Sequence, residues 1–357
     1  MKLENLLNVA IRGGASDIIL KPGKRPKFRH NGEIVSLDGD YKVSEEEIAS
    51  WIIEIMPPET LSEYEKTGDV DFSYNLEDRA RFRVNCFKHQ DMIGMVMRVI
   101  PGHVKTVEEL QLPDICYQIA KLKRGLVLVT GATGSGKSTT LAAIIEKINY
   151  ERPAHIITIE DPIEYKFAEK RATITQREVG KDTHSFAKAI RAALRQNPDV
   201  IFLGELRDKE TIEAALMAAE TGHLVLATLH TSNAPETLTR IMSFFPPDQH
   251  SIIKWQLSES LHAVLSQRLV PQKEKDKVLP VIEIMTVNLY IKKQIIESNK
   301  FDFIVDAIKN GESYGMISFD KALLHLLEKG SISVDIAEKN ASSPEALKLL
   351  MAGVTTN

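Results

Sequence analysis

The first hundred residues alternate short apolar runs with single helical patterns. Leu3 to Ile11 has apolar residues at helical spacing and stops at Gly13-Gly14, and the run Ser16 to Leu20 that follows suits a strand. Phe28 to His30 and Glu33 to Leu37 flank Asn31-Gly32, the strongest short signal for a hairpin. Ser44 with Glu47 predicts a capping box for a helix that runs to about Met56, where Pro57-Pro58 stops it. Three strand-like runs come next, Asp69 to Tyr74, Ala80 to Lys88 and Ile93 to Ile100. In the second, Arg79, Arg81 and Arg83 alternate with Ala80, Phe82 and Val84, so one face of that strand is cationic, and Arg98 on the third run joins it. For any single arginine a solvated face paired with nearby carboxylates explains the pattern equally well. Three at period two direct the reading toward an anionic partner.

Pro101-Gly102 opens a linker, 101–113, after which strands and helices alternate. Gly125 to Thr130, His155 to Ile159, Val200 to Leu203 and Leu224 to Leu229 are apolar on both faces. Helical patterns separate them at Thr139 to Asn149, Phe186 to Arg195 and Lys209 to Glu220. Strands of that kind imply a sheet covered on both sides. Beyond His230 the chain reads as helices: Pro235 to Phe244, Asp248 to Leu269, and shorter ones from Asn288 to Met351. Gln272 to Lys277 reads as a charged, solvated loop, and Ala352 to Asn357 as a frayed tail. There are no repeats or low-complexity tracts.

Composition narrows the choices only a little. With 357 residues, 43% hydrophobic and 26% charged, the chain has the length for about two domains and an ordinary globular balance. Lys and Arg total 45 against 49 Asp and Glu, a net charge of -4, which offers no overall attraction to nucleic acid or anionic lipid. Two cysteines, Cys86 and Cys116, are too few for a disulfide framework or a four-cysteine zinc site and suit a reducing compartment. No apolar run approaches the ~18 residues of a membrane span, and the first twenty residues lack a signal-peptide layout, so a cytoplasmic location is expected.

The chemistry gathers around Gly131-Ala132-Thr133-Gly134-Ser135-Gly136-Lys137-Ser138, which fits G-x-x-x-x-G-K-[ST] between an apolar strand and a helix. Glycines there let backbone N–H groups turn inward around a triphosphate, and the helix N-terminus adds partial positive charge. Thr133, Gly134, Ser135, Gly136, Lys137, Ser138 and Thr139 are the expected ATP-binding residues, with Lys137 on the β and γ phosphates and Ser138 on Mg²⁺. Two further strands end in acid, at Glu160-Asp161-Pro162-Ile163-Glu164 and at Gly204-Glu205, and a third ends at His230. The carboxyl ends of parallel strands are where such a sheet places its ligand. Magnesium and an attacking water together need at least two carboxylates. Glu164 and Glu205 are therefore the main catalytic candidates and Glu205, Glu160 and Asp161 the candidates near the metal, directly or through water. His230 is placed to contact the γ phosphate, and His223 is the weaker histidine.

Four motifs in this order resemble the secretion-type hexameric ATPases, and among them the type IV pilus retraction ATPases (PilT/PilU-like). They are the Walker A loop, the aspartate box Ile159 to Tyr165, the Walker B segment Gly204-Glu205-Leu206-Arg207-Asp208, and the histidine box from Gly222-His223 to Leu229-His230-Thr231-Ser232. The resemblance runs from Ala15-Ser16-Asp17 to Gly315-Met316-Ile317-Ser318-Phe319-Asp320. It implies an α/β fold: a small PAS-like α/β N-terminal domain (1–100), the linker, and a RecA-like P-loop ATPase domain with a helical C-terminal region (114–357). It also implies a homohexamer in which arginines matching Arg81, Arg83 and Arg98 reach the phosphates from a neighbouring subunit. The implied partners are an inner-membrane pilus platform protein and a paralogous retraction ATPase, at the cytoplasmic face of the inner membrane. Three departures stand out: Gly204 occupies the usual Walker B aspartate position with Glu205 after it, a variant usual in the family; Tyr290-Ile291-Lys292-Lys293-Gln294-Ile295 replaces the branch's Ala-Ile-Arg-Asn-Leu-Ile; and Ile18-Ile19-Leu20 stands where a histidine is common.

The expected function is a motor that uses ATP hydrolysis to pull pilin subunits out of a fibre. Pilus assembly or type II secretion motors share the ATPase motifs but commonly add a larger N-terminal region and a tetracysteine insert. A nucleic-acid translocase is disfavoured by the acidic balance and by the lack of a basic, aromatic-studded groove. A small-molecule kinase would leave the histidine box unexplained.

Overall fold

Residues 1–30, 33–76, 79–100, 104–273, 277–298 and 301–353 are described by the computed structural model, and the chain divides into two units, Met1–His103 and Val104–Asn357. The Asn31-Gly32 turn, the Pro101-Gly102 start of the linker, the middle of the Gln272–Lys277 loop and the last four residues of the tail lie outside the described residues.

The first unit runs α1 (Leu3–Arg12), β1 (Asp17–Leu20), β2 (Lys27–His30), β3 (Glu33–Ser36), α2 (Glu45–Ile55), α3 (Pro58–Thr67), β4 (Asp69–Leu76), β5 (Ala80–His89) and β6 (Met92–Ile100). Among the described residues its strands form an antiparallel sheet in the order β3-β2-β1-β6-β5-β4. Alternation puts Ile18, Leu20, Phe82, Val84, Met95 and Met97 on one face, where they meet Leu6 and Leu7 of α1 and Ile48 and Ile52 of α2 in a core. The expected capping box is present: Ser44 Oγ accepts from the Glu47 N–H at 3.2 Å, and Glu47 Oε2 accepts from the Ser44 N–H at 3.0 Å. Pro57-Pro58 ends α2 but does not end helical structure. Pro58 opens α3, because proline at a first helical position gives up a donor that has no partner anyway.

The polar face of this sheet carries both signs of charge. Arg83 and Arg98 are cross-strand neighbours, yet Arg98 Nε lies 2.9 Å from Asp17 Oδ1 and Arg83 Nε 3.6 Å from Asp71 Oδ1. Arg81 is buried and donates from Nη2 to Ser73 Oγ at 2.9 Å. Arg79, expected in the alternation, precedes β5 and pairs with Glu4. The face is therefore not simply cationic.

The second unit takes in part of the expected linker. Val107 and Leu112 are buried in one core with Cys116 and Ile119, because a segment with two apolar residues at that spacing gains by burying them. Its elements are α4 (Ile115–Lys121), β7 (Gly125–Thr130), α5 (Lys137–Glu151), β8 (His155–Glu160), β9 (Thr173–Glu178), α6 (Phe186–Ala193), β10 (Val200–Leu203), α7 (Lys209–Glu220), β11 (Leu224–Leu229), α8 (Ala234–Ser243), α9 (His250–Ser260), β12 (Leu261–Pro271), β13 (Val278–Thr286), α10 (Leu289–Glu297), α11 (Phe303–Lys309), α12 (Phe319–Glu328), α13 (Val334–Asn340) and α14 (Pro344–Met351). The sheet order is β13-β12-β7-β11-β10-β8-β9, parallel except for β13. Successive residues of its strands feed opposite cores: Leu126, Leu128, Ile201 and Leu203 on one side, Val127, Val129, Val200 and Phe202 on the other. Both faces are thus covered, as apolar strands require.

The helical reading of Asp248 to Leu269 is corrected. The helix stops at Ser260 and the chain enters β12, which pairs with β7 and β13. Pairing with a central strand outweighs a local apolar spacing that fits either element. β13 and the polar edge strand β9 are two more strands that the sequence pattern did not reveal. The outer ends of β12 and β13 meet α12–α14 in a separate small core with Val270, Val281, Phe319 and Leu323. Among the described residues no helix is long and apolar enough to cross a membrane.

Candidate nucleotide site

β7 is buried along its whole length and delivers the chain to the loop at Gly131. Gly131 and Gly136 hold φ of 143° and 87°, in the region that favours glycine. A Cβ on Gly131 would collide with the Gln267 carbonyl oxygen and Ser135 Oγ, and one on Gly136 would lie 2.8 Å from Gln267 Nε2. The loop is packed this tightly because β12 backs it. Gln267 Nε2 donates to the Ser135 carbonyl at 2.7 Å, Thr140 Oγ1 donates to Gln267 Oε1 at 2.7 Å, and Thr130 Oγ1 donates to Ser266 Oγ at 3.0 Å. α5 then starts at Lys137, so its partnerless first N–H groups sit at the end of the loop. Thr133 and Gly134 are exposed, Ser138 and Thr139 half-buried.

A row of alternating charges leads away from Lys137. Its ammonium donates to the carbonyls of Gly131 at 2.8 Å and Ala132 at 3.0 Å, and lies 3.5 Å from His230 Nδ1. On the other side of the ring, His230 Nε2 is 3.2 Å from Glu205 Oε1. An ammonium can only donate, so Nδ1 accepts and the ring proton belongs on Nε2, facing the carboxylate. Glu205 Oε2 accepts from Arg207 Nε at 2.8 Å, and Arg207 Nη1 reaches Asp161 Oδ2 at 3.1 Å. Burial lowers the pKa of Lys137, while Glu205 and Glu164 pull it back up. The bond to Glu205 raises that of Arg207. Parallel pairing brings these groups together: β8, β10, β11 and β7 all end, with Glu160, Leu203, Leu229 and Thr130, at the carboxyl end of the sheet.

The aspartate box contributes unequally. Glu160 is 5% exposed and accepts from Thr158 Oγ1 at 2.6 Å, Gln176 Nε2 at 3.3 Å and the Glu164 N–H at 3.4 Å. Burial pushes its pKa up to about 7 against those hydrogen bonds. The sequence put Glu160 near a metal; its partners here lie on its own strand, on β9 and in the loop that follows, so it also ties that loop to the sheet. Asp161 is held by Arg207, and the Asp161-Pro162 peptide is cis. The Glu164 side chain is exposed, and Tyr165 Oη lies 2.8 Å from Thr139 Oγ1. The structure therefore joins Lys137, His230, Glu205 and Asp161 in one array, whereas Arg81, Arg83 and Arg98 are carried by the first unit.

Residues 1–300 match the family described as type II/IV secretion system protein. The chain belongs to that family. It is 41% identical to the type IV pilus retractation ATPase PilT of Pseudomonas aeruginosa over 97% of this chain and 99% of that one. With a twitching motility protein of Neisseria gonorrhoeae it shares 44% identity over 90% and 86% of the two chains. A crystal structure of the pilus retraction motor PilT with bound ADP aligns with a TM-score of 0.90 at 40% identity, covering 98% and 99%. The second unit is thus the RecA-like ATPase fold of this PilT-like branch. Sequence reasoning missed Arg207 and Tyr165 as site residues, although both stand inside motifs it named. Gln176 and Gln267 gave no local signal at all.

Proposed function

We propose that this chain hydrolyses ATP as a subunit of a homohexameric ring and drives retraction of a type IV pilus, acting through an inner-membrane platform protein at the cytoplasmic face and beside a paralogous retraction ATPase. The reading is supported most by the linked array from Lys137 to Asp161 at the mouth of a glycine loop, in a chain that resembles a pilus retraction ATPase along nearly its whole length. Ser135 Oγ, buried without a hydrogen-bond partner among the described residues, and the glycine cradle fit a triphosphate.

In this scheme the loop N–H groups and Lys137 orient the phosphates, and His230 carries a hydrogen bond between Lys137 and Glu205. Glu205 is tied to two donors, whereas the Glu164 carboxylate is exposed, so Glu164 takes the proton of the attacking water. Among the described residues no cluster of three or more His, Cys, Asp or Glu is built to hold a metal. Ser138 and Glu205, with Asp161 through water, would be the few protein ligands that magnesium takes beside phosphate. Bound there, Mg²⁺ would neutralise charge on the β and γ oxygens. Arg81, Arg83 and Arg98 of a neighbouring subunit complete the site.

The test is deletion of the gene with a count of surface pili and a twitching assay. Retained or excess pili with lost motility, not restored by Lys137→Ala, is the expected result. Bald cells with pilin retained inside would instead mean an assembly motor.

A further inference from the structure

Glu164 stands in a stretch, 161–170, that has neither helix nor strand, yet a base must be held to a fraction of an ångström. What holds it comes from the edge strand β9. Along β9, Gln176 and Glu178 point to the same face. Glu178 Oε2 accepts from the Ile163 N–H at 3.1 Å. Gln176 Nε2 donates to the Tyr165 carbonyl at 2.7 Å and to Glu160 Oε1 at 3.3 Å, while its Oε1 accepts from the Phe167 N–H at 3.1 Å. Taking the carbonyl of one residue and the N–H of the residue two later is what the backbone of a neighbouring parallel strand does. The Gln176 amide supplies that pairing from a side chain, so the loop is laid beside the sheet without becoming a strand. Tyr165, pinned by its carbonyl, then reaches Thr139 Oγ1 in the first turn of α5 at 2.8 Å.

We propose that Gln176 is a positioning residue for ATP hydrolysis: by holding Tyr165 and Phe167 it sets where Glu164 stands relative to the first turn of the phosphate-loop helix. This rests on the reading of Glu164 as the base. Only an amide fits, since methionine of similar length offers neither bond, and glutamate keeps an acceptor for Phe167 but loses the donor to Tyr165.

The experiment compares Gln176→Met, Gln176→Glu, Glu164→Gln and the Gln176→Met/Glu164→Gln double variant in the full-length protein, with kcat, KM, nucleotide binding and melting temperature measured for each. Gln176→Met should lower kcat about tenfold or more with KM and nucleotide affinity nearly unchanged, since small misplacements of a reacting group are that costly. Gln176→Glu should fall in between. In the double variant the second change should add nothing to the loss caused by Glu164→Gln, a non-additivity that a merely structural role does not produce. Wild-type kcat in Gln176→Met, a loss that only tracks the folded fraction, or full additivity overturns the inference while leaving Glu164 in place. A wild-type rate in Glu164→Gln overturns the base assignment, and the positioning role with it. If Gln176→Met does not fold, Gln176→Glu carries the comparison.

Discussion

The two units each carry an array of opposite charges, and the arrays are wired differently. On the sheet of the first unit, Arg83 sits with Asp71 in a couple, while Asp17 takes both Arg98 and Arg29. The Arg98 and Arg83 side chains are well exposed, at 67% and 44%, as is that of Asp71, whereas Asp17 is buried. In the second unit His230 and Arg207 each bridge two groups, so Lys137, His230, Glu205, Arg207 and Asp161 form a series. An exposed couple such as Arg83–Asp71 is worth only about 0–1 kcal/mol, so Arg83 can leave its carboxylate for a better anion at little cost. A series behaves otherwise, because removing one member leaves its neighbours with donors or acceptors unmatched. The Arg83 couple suits an arginine that changes partner; the series suits groups that must keep their places.

The largest expected effect tests the Arg83 couple. If Arg83 exchanges Asp71 for phosphate on a neighbouring subunit, Arg83→Ala should cut ATP turnover by up to ~10³-fold while the protein stays folded. Mixing it with a Lys137→Ala chain, whose arginines are intact, should restore activity in co-assembled rings. Absence of rescue in verified mixed rings would reduce the couple to local structure.

The series is probed by Glu205→Gln. A glutamine has one acceptor oxygen and must turn its amide nitrogen toward either Arg207 or His230, both of which donate there. Turnover should fall about 10²-fold, as for loss of a metal ligand or positioned group, with nucleotide affinity largely kept. Binding and hydrolysis measured separately check this, and an unchanged rate would mean that the series is not part of the chemistry.

The smallest effect concerns a carboxyl in neither array. Glu283 on β13 accepts from the Ala234 N–H at 3.0 Å, and burial pushes its pKa from 4.5 to about 7, against that bond and the pull of Arg268. Between those two values the folded chain keeps a proton that the unfolded chain has lost, so this group's contribution to stability falls as pH rises and levels off above about 7. Glu283→Gln should match the wild type near pH 4.5 and melt roughly a few degrees higher at pH 8. Glu160 acts with the same sign, so some slope should remain. Melting curves across this range, identical in shape for both proteins, would contradict the buried-acid account.

What could be read in advance depended on how far along the chain a feature reaches. The phosphate loop, the capping box at Ser44 and the two acidic strand ends are settled by residues a few positions apart, and each stands where the pattern put it. β12 could not be read that way. Its apolar spacing continues from α9 without a glycine or proline, and only β7, more than 130 positions earlier, selects strand over helix. β9 is polar at an edge and has no apolar alternation to betray it. Gln267 reaches a partner 132 positions away, and Arg207, besides its neighbour Glu205, one 46 positions away, so these links become visible only in the fold. The one-sided arginines were legible as a period, but Asp17, which neutralises Arg98, comes from a strand 81 positions earlier.

Three consecutive residues of β12 hold different things. Ser266 holds the end of β7, Gln267 grips the phosphate loop, and Arg268 donates to the Asn340 carbonyl at 2.7 Å and lies over the Phe319 ring at 3.9 Å, among the C-terminal helices. The strand is paired with both β7 and β13 as far as Ser266, and with β13 on through Gln267 and Arg268. In mechanical language the stretch from Ser266 to Arg268 is a shaft without a joint. A load on the C-terminal helices is borne within two residues of the loop that would grip a triphosphate, and a strain in that loop has equally little slack to cross before it reaches those helices.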